Sequence, residues 1–202
     1  MGVLKIGVLA SGRGTNLQAI IDAARDGRLQ ARVVVVISDK EQAYALQRAA
    51  KAGIPHFFIN PGAYPSKDSY ERVIVDILRQ HEVELVCLAG YMRIVGPVML
   101  ETFPNQMMNI HPSLLPSFPG LHAQRQAVEY GVRFSGCTVH FVDEGVDTGP
   151  IILQAVVPVQ QDDDEESLAA RILEQEHRIY IEAIRLFQEG RLMVEGRRVI
   201  IN

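Results

Sequence analysis

Cysteine is scarce in this chain of 202 residues, which contains only Cys87 and Cys137. Each lies within an apolar run, and neither has the spacing of a metal ligand. Such cysteines behave as small hydrophobic residues. We therefore expect both to be buried free thiols in a protein of a reducing compartment.

Long apolar runs are also missing. No stretch reaches the roughly 18 consecutive apolar residues that a membrane span needs, and residues 1–6 lack the pattern of a signal peptide. The formal net charge of −4 argues against a large nucleic-acid footprint. The sequence therefore predicts a cytoplasmic protein that binds neither membranes nor nucleic acid, although a single phosphate group would need only a local site.

Hydrophobic residues make up 48% of the chain, enough for a sizeable core. Apolar runs alternate with amphipathic stretches in the first half, which is typical of a parallel α/β sheet. The second half predicts two alternating strands, a long helix that begins after Asp164, and a terminal hairpin. The predicted strands are 3–10, 32–38, 57–59, 85–89, 136–142 and 151–157, the predicted helices are 16–25, 41–52, 70–81, 121–130 and 164–189, and the hairpin is 192–201.

These elements predict an α/β fold, with a Rossmann-like, mostly parallel twisted sheet flanked by helices and antiparallel strands in the C-terminal part. Right-handed crossovers place the carboxyl ends of parallel strands at one edge, where open α/β sheets bind ligands. We therefore expect the loops 11–15, 90–95 and 111–120 to gather there.

Two polar residues, Asn109 and His111, interrupt an apolar run just before a proline-rich stretch. On a strand they would leave the same face, roughly 7 Å apart. A donor pair in this position suits the oxyanion of an acyl transfer. The alternative is that both side chains only satisfy loop backbone.

The segment 11–16 lies where a strand turns into a helix and contains Gly12 and Gly14. Glycines bare the backbone amides, and a helix N-terminus attracts anions, so the segment predicts a phosphate site. Leu17 stands where a dinucleotide motif needs a third glycine, which favours a monophosphate ester. A tight turn without a ligand is the alternative.

The glycine-rich turn 143–150 places Asp147 between two predicted strands. Its spacing does not suit a metal, and an Asx-stabilised surface turn is a plain alternative. The functional interpretation makes Asp147 a partner of His111 that favours the charged imidazole and moves protons through water. Thr138 and His140 would support this site, whereas the position of Glu176 within a helix predicts a solvated side chain.

Taken together, several segments resemble the folate-dependent glycinamide ribonucleotide transformylases of the formyltransferase superfamily. The resemblance spans nearly the whole chain in the right order. The matching segments are 11–20, 88–94, 109–116, 119–127, 136–142, 147–152 and 175–177.

The resemblance implies transfer of a formyl group from 10-formyltetrahydrofolate, as co-substrate, to glycinamide ribonucleotide in purine synthesis, without a metal. It implies one domain over 1–202, with a phosphate-binding half (1–105) and a catalytic and folate-binding half (106–202), acting as a monomer or homodimer. The implied catalytic residues are Asn109, His111 and Asp147. The implied ribonucleotide-binding residues are Gly12, Arg13, Gly14, Thr15, Asn16 and Glu176. The implied folate-binding residues are Lys67, Met92, Arg93, Ile94, Val95, Asn109, Val142 and Asp143.

Other functions remain open from the sequence. A related formyltransferase could act on another amine, such as a sugar nucleotide. An alternative of a different class is a dinucleotide-binding module without formyl-transfer chemistry. Leu17 disfavours it, because the dinucleotide motif needs a glycine at that position.

Overall fold

The computed structural model describes residues 2–202. These residues form two compact units, one ending at Asn109 and the other beginning at Ile110. Among the described residues, no helix is both long enough and apolar enough to cross a lipid bilayer.

The first unit is built on a parallel sheet in the strand order β3-β2-β1-β4-β5. Nearly every residue of the two central strands is buried, as expected for a parallel sheet covered on both faces. The strands are β1 (Leu4–Leu9), β2 (Ala31–Ser38), β3 (His56–Phe58), β4 (Leu85–Leu88) and β5 (Met107–His111), the last of which runs on into the second unit.

Four helices connect these strands, and the first two pack against β2. They are α1 (Thr15–Arg25), α2 (Tyr44–Lys51), α3 (Lys67–Gln80) and α4 (Pro97–Thr102). A short 3₁₀ turn (Pro61–Ala63) precedes α3, which begins with a capping box between Ser66 and Ser69.

The predicted starts of α3 and α5, at residues 70 and 121, lie three and two residues from the observed ones, and the sequence analysis differs further at α2 and α4. The helix predicted from residue 41 begins at Tyr44, because the preceding residues form a turn in which the Ala43 amide donates to the Lys40 carbonyl. Helix α4 was not predicted, since six residues are too few to show a helical period. Its signal was Pro97 at the first helical position.

The second unit has the strand order β6-β7-β9-β8. Strands β6 and β7 are antiparallel, with Gly136 opposite Val156, and β9 adds parallel to β7 at Ile151. The long helix α6 packs against β6 and β7 and begins with a capping box at Asp164, which confirms the predicted helix start. The elements are α5 (Ala123–Tyr130), β6 (Phe134–Phe141), β7 (Ile151–Pro158), α6 (Glu165–Gln188), β8 (Leu192–Glu195) and β9 (Arg198–Ile201).

The predicted fold class is therefore confirmed, with parallel strands in the first unit and antiparallel pairs near the C-terminus. The predicted hairpin at 192–201 is also confirmed. Cys87 and Cys137 are fully buried, as expected, and neither forms a disulfide bond within residues 2–202. Burial, with Glu176 nearby, raises the pKa of the Cys137 thiol to about 12.

Candidate active site

The centre of the candidate site is an imidazole–carboxylate pair in the second unit. His111 ends strand β5, and its Nδ1 lies 3.2 Å from Oδ2 of Asp147. His140 on β6 approaches the other carboxylate oxygen, with 3.8 Å between Nε2 and Oδ1. Both histidines are buried. The structure thus brings His111 and Asp147 together, as the sequence predicted, and adds His140 to the same carboxylate.

The loop after β5 contacts both members of the pair through its backbone. The Phe118 carbonyl lies 2.9 Å from Nε2 of His111, and the Gly120 amide donates to Oδ2 of Asp147 over 2.8 Å. Both ring nitrogens of His111 therefore face oxygen acceptors. Only the protonated ring can donate to both at once.

Burial decides the pKa of His111. It lowers the pKa below the usual histidine value, and the Phe118 carbonyl and the Asp147 charge offset the effect only in part. The Asp147 charge does raise the pKa of His111, as expected from the sequence. Burial lowers that pKa by more. Burial also acts to raise the pKa of Asp147. The hydrogen bonds from His140 and Gly120 outweigh burial there, so that pKa is lowered and the carboxylate is ionised at neutral pH.

The turn that carries Asp147 is internally braced. Oδ1 of Asp143 accepts from the Gly145 amide at 3.1 Å and from the Thr148 hydroxyl at 2.6 Å. Asp147 itself has a φ of 54°, a left-handed conformation that costs energy for a residue with a side chain. At Gly149 there is no room for a Cβ, because it would overlap the carbonyl oxygen of Phe141. The turn is therefore shaped to present one carboxylate.

Thr138 supports the loop rather than the reacting groups. Its hydroxyl donates to the Ser113 carbonyl at 2.7 Å and accepts from the Leu115 amide at 3.1 Å. Gln154, opposite it on β7, donates to both Thr138 and the Leu115 carbonyl. The start of the loop after β5 is thus fixed to the β6–β7 pair.

In the first unit, the glycine-containing loop 11–14 leads directly into α1. Gly14 has a φ of 68°, and a Cβ there would meet the backbone of Ala45. Helix α2 binds two carbonyls of this loop, those of Gly12 through the Ala45 amide and of Arg13 through Nε of Arg48. Two loop carbonyls that would repel an anion are thereby occupied.

A serine hydroxyl joins three loops of this unit. Ser11 Oγ donates to Oδ1 of Asp39 at 2.5 Å and accepts from the Met92 amide at 2.8 Å. The Ser11 amide also donates to the Gly90 carbonyl. Sequence reasoning missed this linkage. Its signal was that Ser11 lies two residues, and Asp39 one residue, beyond the end of a parallel strand.

The segment 90–96 is held by α3 as well. The hydroxyls of Tyr70 and Tyr91 lie 2.9 Å apart, and the Arg93 guanidinium stacks over the Tyr70 ring at 5.3 Å. The buried carboxylate of Glu71 accepts from the amide of Gly96, the residue that precedes α4, at 2.6 Å. Lys67 Nζ lies 4.0 Å from Oε1 of Glu71.

The remaining predicted site residues differ in exposure. In the first unit, Gly14, Asn16 and Val95 are buried, Thr15 and Asn109 are half-buried, and Gly12, Arg13, Lys67, Met92, Arg93 and Ile94 are exposed. In the second unit, Val142 and Asp143 are half-buried.

The prediction of a solvated Glu176 was wrong. Its side chain is buried on α6, where Leu168, Ile172 and Glu176 follow one another at intervals of four residues. That spacing puts all three on one face of the helix, so the sequence did contain the signal.

Within residues 2–202, no group of three or more histidine, cysteine or acidic side chains is arranged to hold a metal ion.

Comparison with known proteins identifies the family. The profile described as formyl transferase matches residues 4–184. The phosphoribosylglycinamide formyltransferase of Escherichia coli is 44% identical over 94% of this chain and 89% of its own length. The trifunctional purine biosynthetic protein adenosine-3 of Drosophila pseudoobscura is 50% identical over 93% of this chain, which spans only 14% of that relative.

A solved structure agrees closely in fold. Glycinamide ribonucleotide transformylase 1 from Symbiobacterium toebii superposes with a TM-score of 0.97 and 60% identity, covering 98% of this chain and 94% of the other. With the family profile matched over most of its length, this chain belongs to the formyl transferase family.

Proposed function

We propose that this chain transfers the formyl group of 10-formyltetrahydrofolate to the amine of glycinamide ribonucleotide, a step of purine synthesis. The observation that carries the proposal is the close contact between the buried His111, at the end of β5, and the half-buried Asp147, with 3.2 Å between Nδ1 and Oδ2. Such a pair suits acyl transfer to an amine, which needs both an oxyanion donor and a proton acceptor. The similarity to enzymes named for this substrate supports the choice of amine.

The reaction begins when the glycinamide amine attacks the formyl carbon. The carbonyl oxygen gains negative charge in the tetrahedral intermediate, and Asn109 and His111 donate hydrogen bonds to it. Both lie on β5, two residues apart, so their side chains leave the same face of that strand. Losing one such donor commonly costs about 3 kcal/mol of barrier.

His111 must exchange a partner before it can donate to the substrate. In the unliganded geometry its Nε2 bonds the Phe118 carbonyl and its Nδ1 faces Asp147. The formyl oxygen therefore replaces the Phe118 carbonyl as acceptor, while the contact with Asp147 remains. This exchange gives a physical reason for the loop 113–120 to move when the folate binds.

As the intermediate collapses, the bond between the formyl carbon and the folate nitrogen breaks, and Asp147 receives the proton that the attacking amine loses. Its lowered pKa keeps the carboxylate ionised at neutral pH, and an ordered water carries the proton onward to the folate nitrogen. The contact with His140 further stabilises the ionised carboxylate through a second imidazole. No covalent enzyme intermediate is needed.

The ribonucleotide phosphate binds at the loop that precedes α1. The N-terminus of this helix carries partial positive charge, and Gly12, Arg13, Gly14, Thr15 and Asn16 supply backbone and side-chain donors. The occupied carbonyls of Gly12 and Arg13 favour this assignment. Glu176 binds the ribonucleotide in the same complex.

The folate is assigned to the residues that the resemblance to the family implies for it. The residues assigned to it are Lys67, Met92, Arg93, Ile94, Val95, Asn109, Val142 and Asp143. Met92 and Ile94 are 62% and 58% exposed, large apolar side chains of the kind that a planar ligand covers.

The test combines the purified chain with 10-formyltetrahydrofolate and glycinamide ribonucleotide and measures the formylated ribonucleotide. A mixture without the ribonucleotide measures hydrolysis alone, and one with an amino-sugar nucleotide tests the other acceptor. Transfer to glycinamide ribonucleotide well above both controls is the expected result. Hydrolysis at the same rate with and without acceptor, or preference for the sugar nucleotide, would contradict the proposal.

A further inference from the structure

The C-terminal hairpin reaches the turn that carries Asp147. Nη2 of Arg197, in the tight turn between β8 and β9, donates to the Thr148 carbonyl at 2.8 Å. Beside this contact, β9 pairs with β7 at Arg198 and Ile151. The matched family segment ends at residue 184, so this hairpin lies beyond it.

The Arg197 contact is made to Thr148, whose side chain is already held by a hydrogen bond within the turn. The Thr148 hydroxyl donates to Asp143 at 2.6 Å, and the Thr148 carbonyl accepts from Arg197 at 2.8 Å. Thr148 directly follows Asp147, whose left-handed φ of 54° is unfavourable without outside support. The two bonds at Thr148 restrict rotation of the chain immediately after the strained residue.

We propose that Arg197 is a positioning residue that holds the Asp147 carboxylate against His111. It acts through the Thr148 carbonyl and touches no reacting atom. The consequence for catalysis rests on the function proposed above, whereas the consequence for geometry does not. Without this bond the turn samples other conformations, and the distance of 3.2 Å between Asp147 and His111 is kept for a smaller share of the time.

Arg198 provides a matched control. It is the next residue and, like Arg197, carries a positive charge and is exposed. Among the described residues, its side chain makes no hydrogen bond to the 143–150 turn, which Arg197 reaches. Arg197→Ala and Arg198→Ala therefore remove the same charge from the same hairpin, and only the first removes the bond.

In the transfer assay, Arg197→Ala should lower kcat about fivefold, the order expected for one exposed charge-assisted hydrogen bond, while both KM values stay within about twofold. Arg198→Ala should leave kcat unchanged. Arg197→Lys, which keeps a donor and a charge, should recover part of the loss. Equal kcat values for the two alanine variants would overturn the proposal.

A second measurement does not depend on activity. The Asp147 charge raises the pKa of His111, whereas the electrostatic effect of His140, the other titratable group facing that ring within the unit, lowers it. If the carboxylate moves away, the pKa of His111 should fall in Arg197→Ala, measured by NMR titration of the ring. Loss of a positive charge alone would raise the pKa of His111, and Arg198→Ala measures the size of that effect. A His111 pKa that shifts equally in both variants would reject the positioning role even if the wild-type chain transferred no formyl group.

Discussion

The hydroxyl of Ser11 donates to Oδ1 of Asp39 over 2.5 Å and, through the same oxygen, accepts the Met92 amide. Ser11 begins the loop assigned to the phosphate, and Met92 lies in the segment assigned to the folate. One side chain therefore couples the backbones of two proposed ligand sites, and a buried carboxylate fixes its direction.

Ser11→Ala removes both bonds at once. The segment after β4 then loses an anchor, so we expect KM for the folate to rise about fivefold, the effect of one ordinary hydrogen bond. Steady-state kinetics with each substrate varied in turn is the measurement. Asp39→Asn is the control, because an amide oxygen still accepts from the hydroxyl. A larger effect of Asp39→Asn than of Ser11→Ala would contradict the idea that the serine is the link.

Asp147→Asn should keep the fold and both ligands but slow formyl transfer by about a hundredfold or more, since an amide cannot take a proton. Single-turnover kinetics with saturating ligands isolates this step. Glu144→Gln changes an exposed carboxylate in the same turn and should have no effect. Transfer at the wild-type rate in Asp147→Asn would exclude the proton-shuttle role.

The titration of His111 should respond in opposite directions to its two neighbours. Asp147→Asn removes a charge that raises the pKa of His111, so this pKa should fall further below the usual value. His140→Gln removes a titratable ring whose electrostatic effect lowers the pKa of His111, so that pKa should rise. NMR of the ring nuclei across the titration gives both values, and shifts of the same sign would mean that the electrostatic description is wrong.

Glu71 should matter for stability. Glu71→Ala leaves the Gly96 amide without its acceptor and should cost about 1–3 kcal/mol in the free energy of unfolding, measured with urea. Burial raises the pKa of the Glu71 carboxyl in the folded state, although the Gly96 and Met99 amides and Lys67 oppose it.

The raised pKa also predicts a pH dependence. Glu71 binds its proton more tightly in the folded state than in the unfolded state. The stability that this proton contributes is therefore fully present below the unfolded-state pKa and is lost as pH rises through the folded-state pKa. Relative to Glu71→Gln, which does not titrate, the wild-type protein should therefore gain stability on acidification. If the difference in unfolding free energy between the wild type and Glu71→Gln stayed constant with pH, the raised pKa of Glu71 would be contradicted.

Much of the candidate site could be predicted from the sequence because its residues occupy marked positions. Asn109 and His111 stand out as polar residues at period two in an apolar strand, and Gly14 marks the turn into α1. The meeting of Asp147 with His111 needed the family resemblance, since periodicity says nothing about residues 36 positions apart.

The contacts that the sequence could not supply are made by loop backbone. The Phe118 carbonyl contacts His111 and the Gly120 amide donates to Asp147, yet nearly every residue type carries those backbone groups. The hydrogen bond from Arg197 to Thr148 likewise uses a backbone carbonyl as its acceptor. Such contacts depend on the path of the chain and leave no pattern of residue types.

The complete burial of both cysteines has a practical use. Thiol reagents need an accessible thiolate, and neither Cys87 nor Cys137 offers one in the native protein. A single cysteine introduced at an exposed position would therefore be the preferred point of labelling. A fluorophore placed on the C-terminal hairpin would then report the motion of the hairpin during turnover, and the native cysteines would not need to be replaced first.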